Sequence, residues 1–187
     1  MDSFCEQIVQ KKKGAKEWTI IVLTVLGALI LLFGAFLINL LVVALLAVGY
    51  GAWWLITTQN IEYEYCVTDV NTDVSIDVDQ ITARRKRKRL VSVAGRKIES
   101  LLPFDPTAPL GKYQRIAMVA PSLQEEGLWC FTYHSKKNGH TFVVFQPNER
   151  VLRQLYGGLP KLVQMDTARA ARAMGLDLSD RTASHGE

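Results

Sequence analysis

The stretch Asn60–Asp79 reads N-I-E-Y-E-Y-C-V-T-D-V-N-T-D-V-S-I-D-V-D. Ile61, Tyr63, Tyr65 and Val67 alternate with Glu62, Glu64 and Thr68, the period of a half-buried strand. Asp69–Asp73 is turn-like, and Val74, Ile76 and Val78 then alternate with Ser75, Asp77 and Asp79. Two such runs in succession predict an antiparallel pair, so the chain downstream of residue 57 is read as mostly β.

Working downstream, further strands are expected at Lys88–Val93, Ile98–Leu102 and Tyr113–Val119, with a proline-rich loop over Phe104–Lys112. Leu128–Ser135 and His140–Gln146 flank Asn138-Gly139, a signal for a two-residue type I′ hairpin turn. That turn would set Tyr133 opposite Val144 and Ser135 opposite Phe142, with Trp129, Phe131 and Tyr133 on the core face. Asn148 is a helix N-cap after Pro147, followed by the stripe Val151, Leu152, Leu155, Tyr156 and the stop Gly157-Gly158. A last short helix is expected over Thr167–Met174, and Arg181–Glu187 reads as disordered.

Working upstream, Trp18–Ile56 carries no charged residue, and its polar interruptions are Thr19, Thr24 and Asn39. As one helix it would be about 58 Å long, nearly twice a hydrocarbon core of about 30 Å. Two transmembrane helices are therefore expected, Trp18–Ile38 and Leu40–Ile56, turning at Asn39. Trp18 opens the first, and Tyr50, Trp53 and Trp54 close the second, so the hairpin would place all four aromatic rings at one interface. Gly27 and Gly34 on one helix, and Ala44, Ala47 and Gly51 on the other, are candidate small-residue packing positions. Lys11, Lys12, Lys13 and Lys16 precede the first span, which predicts a multi-pass protein of the cell membrane with both termini cytoplasmic. The run is too long for a signal peptide and lacks a cleavage pattern.

The fold class expected is thus α+β: a transmembrane hairpin, then a small antiparallel β-barrel or sheet closed by a C-terminal helix. The domain plan is an N-terminal segment over 1–17, spans over 18–38 and 40–56, a β-rich domain over 58–160, and a short helix and tail over 161–187. About seven short strands and a closing helix is the element order of a pleckstrin-homology-like (PH-like) domain. M-D-S-F-x-E-Q-I-V, Q-N-I-E-Y-E-Y-x-V-T, R-R-K-R-K-R-L-x-S-V and F-Q-P-N-E-R-V-L together resemble a Gram-positive bacterial family of two-span membrane proteins of unknown function. The resemblance implies a bacterial membrane protein and no activity.

No catalytic or metal-binding pattern emerges. Asp69-x-Asn71-x-Asp73-x-Ser75-x-Asp77 mimics an EF-hand start, but Val74 stands where the loop needs Gly and Gln80 where it needs Glu. Asp77-x-Asp79 lacks the α/β context of a phosphotransfer pair. His134 and His140 flank the hairpin turn, His185 lies in the tail, and Cys5, Cys66 and Cys130 share no short spacing. No cofactor, metal or enzymatic activity is expected.

The conspicuous feature is the block Arg84-Arg85-Lys86-Arg87-Lys88-Arg89. Six consecutive cations cannot line a buried strand. Glu62, Glu64, Asp69, Asp73, Asp77 and Asp79 precede it and match it in number, so neutralisation within the domain is the preferred reading. Anionic lipid head groups are the second. Nucleic acid is disfavoured, because no aromatics interleave the block and the chain is expected to be membrane-bound. The sequence therefore points to a membrane-anchored, non-enzymatic binding or scaffolding module. Its alternative is a small accessory subunit of a membrane protein complex, acting through the hairpin.

Overall fold

The computed structural model describes residues 3–12, 14–35, 40–70 and 73–178. The first element is a strand, β1 (Ser3–Gln10), where an N-terminal flank was expected. It pairs antiparallel with β2 (Ile61–Val70), from Ser3 opposite Asp69 to Gln10 opposite Glu62. Cys5 is buried beneath it, whereas Phe4 and Ile8 are exposed on the other side. β3 (Asp73–Thr82) and β4 (Lys86–Ala94) complete a sheet ordered β1-β2-β3-β4.

Between β1 and β2 stand two helices, α1 (Ala15–Ala35) and α2 (Leu40–Thr58), lying against each other. The expected spans are overturned here, and with them the multi-pass localisation. Among the described residues no helix is long and apolar enough to cross a membrane. α1 opens on Ala15-Lys16-Glu17, so its uncharged part, Trp18–Ala35, is about 27 Å long at ~1.5 Å per residue. The apolar part of α2, 40–56, is about 26 Å by the same rise. Each falls a few ångström short of a hydrocarbon core. The expected turn at Asn39 lies outside the described residues, as do Asn71 and the tail 181–187.

A 3-10 turn at Gly95–Lys97 leads into β5 (Ile98–Pro103), and β6 (Arg115–Met118), β7 (Trp129–Ser135) and β8 (Gly139–Phe145) form a second sheet ordered β5-β7-β8-β6. The expectation of one small antiparallel barrel or sheet is corrected twice. There are two separate four-stranded sheets, and β6 runs parallel to β8. The core lies between them: Tyr65, Val67, Ile76 and Val78 from the first sheet meet Trp129, Phe131 and Phe145 from the second. Phe145 stands edge-on to both Tyr65 and Phe131, with ring centroids 5.7 and 5.2 Å away. The buried Tyr65 hydroxyl donates to the Val119 carbonyl and accepts from the Gln146 N–H, joining the sheets.

The β7–β8 register also differs from the expected one. Ser135 pairs with Gly139 and Tyr133 with Thr141. Gly139 has φ +65° and Asn138 does not share the left-handed region, so the loop is the three residues 136–138 closed by Gly139. Trp129, Phe131 and Tyr133 are nonetheless all buried.

α3 (Glu149–Gly157) begins as expected, the Asn148 side chain accepting from the Val151 N–H at 2.8 Å. α4 (Lys161–Ala173) starts six residues before the expected helix, directly after Pro160. Val163, Thr167 and Ala171 recur every fourth residue on its buried face, and the Thr167 hydroxyl donates to the Leu101 carbonyl at 2.8 Å. The β domain thus takes in both β1 and α4 and is wider than the 58–160 expected.

The end of α3 packs tightly on the first sheet. A Cβ at Gly158 would lie 2.2 Å from Val74 Cβ, and one at Gly95 would lie 2.7 Å from the Gly158 carbonyl oxygen. Gly158→Val should therefore lower stability by about 2 kcal/mol, the scale of overpacking in a closed core. Urea melts of the full chain in mild detergent, followed by tryptophan fluorescence, check this; an unchanged midpoint would mean that α3 does not dock where described.

Candidate functional site

The basic block is divided between a turn and a strand. Thr82–Arg85 is the β3–β4 turn, closed by the Arg85 N–H donating to the Thr82 carbonyl at 3.1 Å. Its central residues Ala83 and Arg84 have φ of 55° and 56°, which makes it a type I′ turn built without glycine. Lys86–Arg89 begin β4, beyond the buried pair Val78–Val91. A bulge between Val78 and Asp79 leaves Leu90 unmatched and sets Asp79 opposite Arg89.

The turn and the pleat of β4 then sort the six cations. Arg84 Nε lies 3.4 Å from Glu62 Oε1, and Arg87 Nη2 lies 3.0 and 2.9 Å from the two oxygens of Glu64. Arg89 reaches both Asp79 at 2.9 Å and Asp77 at 3.1 Å. These acids share one face of the sheet with Arg87 and Arg89, and Glu62 and Glu64 are only 7% and 5% exposed. Arg85, Lys86 and Lys88 are exposed and make no ion pair among the described residues. Half the block is thus neutralised within the domain and half is not.

Glu64 is the most constrained of the acids. Burial pushes its carboxyl up, a hydrogen bond with the Glu6 side chain on β1 pushes it further, and Arg87 pulls it down. Glu6 was not singled out in the sequence, because its strand was not recognised. The Cys5, Cys66 and Cys130 thiols are all pushed up by burial, Cys130 to about 11, so none is a ready nucleophile.

The turn sits at the foot of the helical hairpin. The Ala83 N–H donates to the Asn60 carbonyl at 2.9 Å, and the Lys11 N–H to the Ile61 carbonyl at 2.9 Å. Beside it an open cleft of about 290 Å³ is lined by Lys11, Lys12, Tyr63, Met118, Pro121 and Leu123. Lys12 pairs with Glu125 at 2.5 Å. Up the hairpin, Trp18, Val22, Leu26 and Phe33 on α1, and Val43, Leu46, Tyr50 and Trp53 on α2, are all exposed.

The other candidate residues are placed as follows. A Cβ at Gly27 or Gly51 would meet nothing within 4 Å, so neither marks a close approach of α1 and α2. Gly34 is half-buried and Ala47 exposed; Ala44 lies within α2. Asp69 and Asp73 stand on β2 and β3, where Asp73 pairs with Arg96 at 3.3 Å. His134 and His140 face each other across β7 and β8, ring centroids 5.2 Å apart, with His140 Nδ1 3.5 Å from Glu99. Among the described residues no group of three or more His, Cys, Asp or Glu is placed to hold a metal ion.

Two sheets, a corner turn and C-terminal helices describe a PH-like domain, here with a helical pair between its first two strands. The chain matches the family described as "Bacterial PH-like domain (DUF6106)" over residues 1–165, and it belongs to that family. No curated protein and no solved structure matches it.

Two outcomes follow from this geometry. Ala83→Gly should raise stability by about 1 kcal/mol, because glycine occupies φ near +55° without steric cost. A lower melting midpoint would contradict the turn assignment. Arg87→Gln should cost about 2 kcal/mol at neutral pH by leaving the Glu64 carboxylate buried without its cation. Glu64 already titrates above its unfolded value, so the folded state favours its protonated form. Stability from that preference is full below the unfolded value and is lost as pH rises through the folded one. The Arg87→Gln deficit should therefore shrink as pH falls through the raised carboxylate range; a pH-independent deficit in urea melts would exclude Glu64 as its source.

Proposed function

We propose that the chain is a non-enzymatic binding module fastened to a lipid surface by its helical hairpin, with the PH-like domain held at the hairpin's foot to meet partners. The observation that carries this is the row of large apolar side chains exposed on α1 and α2, from Val22 at 59% and Phe33 at 80% to Val43 at 68% and Leu46 at 71%. A contiguous apolar surface of that kind marks an interaction site in water. Fastening by burial of an apolar face in the lipid does not require either helix to cross the bilayer. The β domain has its own core and draws nothing from the hairpin's outer faces, so the hairpin is free for that role.

A second reading, an accessory subunit acting through the hairpin, draws on the open space beside Gly27 and Gly51, where the backbone is accessible to a partner helix. Full-length chain should sediment with phosphatidylcholine vesicles, and Phe33→Glu with Leu46→Glu should reduce that by about tenfold or more, given the cost of a carboxylate in hydrocarbon. Vesicle binding untouched by both substitutions would remove the lipid reading. Under the second reading, Gly27→Leu with Gly51→Leu should abolish recovery of a partner while leaving vesicle sedimentation unchanged.

A further inference from the structure

We infer that Arg85, Lys86 and Lys88 form a second contact with the membrane, laying the PH-like domain on anionic phospholipid head groups; this rests on the hairpin being a lipid-surface anchor. Position is the first argument. Asn60 lies two residues past the end of α2, and its carbonyl accepts from the Ala83 N–H at 2.9 Å. The basic turn is therefore tied to the point where the hairpin leaves the domain. Exposed Trp18 lies in the first turn of α1, and exposed Tyr50, Trp53 and Trp54 lie in the last turns of α2. Amphipathic rings settle at the head-group level of a bilayer, so the foot of the hairpin, and the turn with it, lies at that level.

Charge is the second argument. Arg84, Arg87 and Arg89 are engaged by Glu62, Glu64, Asp77 and Asp79, whereas Arg85, Lys86 and Lys88 meet no acid among the described residues. Lys86 and Lys88 alternate with Arg87 and Arg89 along β4, so they stand on the opposite side of the strand from the acids. The pairing that neutralises half of the block leaves Lys86 and Lys88 on the side away from the acids and Arg85 exposed in the turn. An acidic head-group surface supplies the counter-charge, and three cations held within a few ångström of it act together.

The test uses full-length chain offered phosphatidylcholine vesicles and vesicles that also contain phosphatidylglycerol. Each cation contributes about fivefold near an acidic surface, so partition should favour the acidic vesicles by on the order of 100-fold at low salt. The preference should shrink strongly at about 0.15 M salt, where screening sets in within ~8 Å. Arg85→Gln, Lys86→Gln and Lys88→Gln together should remove it while leaving the melting midpoint unchanged, because none of the three is paired. The charge-conserving set Arg85→Lys, Lys86→Arg and Lys88→Arg should retain it. If these cations serve only to keep the β4 edge from pairing with other chains, the Gln variant will bind acidic vesicles as wild type does, and the inference is overturned. Equal binding to both vesicle types overturns the head-group contact and leaves the hairpin anchor standing. Binding to neither overturns both.

Discussion

The β1–β2 ladder is the constraint on which the rest of the structure depends. Gln10 pairs with Glu62 although the whole helical hairpin lies between them in sequence. Closing so long a connection costs entropy, but the cost grows only slowly with length. The antiparallel ladder from Ser3–Asp69 to Gln10–Glu62 offsets it with backbone hydrogen bonds and the burial of Cys5. Once the ladder closes, α1 must leave and α2 must return at one end of one strand pair. The two helices are in effect the turn of a β-hairpin drawn out into an arm. The β3–β4 turn falls at that same end, because Ile61 pairs with Thr82.

That closure also determines the electrostatics. β1 sets Glu6 beside Glu64, and β3 sets Asp79 opposite it on the other side, so one carboxylate stands among two more in a nearly closed surface. Without Arg87 the arrangement would be repulsive and desolvated together. The basic strand β4 is thus required by the acidic strands β2 and β3, and its position at the sheet edge leaves its alternate residues in water. Neutralisation within the domain and contact with an anionic surface look like rival readings of six cations in a row. Along β4 the paired Arg87 and Arg89 alternate with the exposed Lys86 and Lys88, because a strand sends successive residues to opposite faces, so the first reading does not exclude the second.

Much of the β domain was legible in the sequence because strands β2 to β4 and β7 carry apolar residues at alternate positions, and because Asn148 is a cap whose chemistry is local. β1 was not. Its exposed residues Phe4 and Ile8 are as apolar as its inward Cys5 and Val9, with polar Gln7 between them, so no period of two separates its faces. Gln7 is polar for a tertiary reason: its amide donates to the Gln146 carbonyl and accepts from the Asn148 N–H, tying β1 to the start of α3. The β7–β8 register was misread because Asn-Gly suits two turn types, and Gly139 takes the left-handed position of the longer one. The early start of α4 was hidden by Pro160, which serves equally as a helix opener and as a loop residue. For the basic block, the count of acids forecast that pairing would occur. Which cations would pair depends on the Val78/Asp79 bulge, which no count can locate. The membrane spans failed differently. The division of the uncharged run into two helices was foreseen, but the uncharged lengths of α1 and α2, about 27 and 26 Å, are each a few ångström short of a hydrocarbon core.

The turn at Ala83-Arg84 links these features. A type I′ turn with both central residues at positive φ is ordinarily built from Asn and Gly, and Ala with Arg there carries a steric cost. What offsets that cost is visible on both sides of the turn. The Ala83 amide is held by the Asn60 carbonyl, and the Arg84 guanidinium reaches back to Glu62, so each strained residue has a bond to the strand that receives α2. Glycine in place of Arg84 would relieve the backbone and forfeit the second of these bonds. A longer loop would relieve both residues and detach the cations that follow from the foot of the hairpin. The short turn therefore fixes Arg85 and Lys86 close to the last helical turn of α2, where an exposed apolar arm and exposed positive charge adjoin.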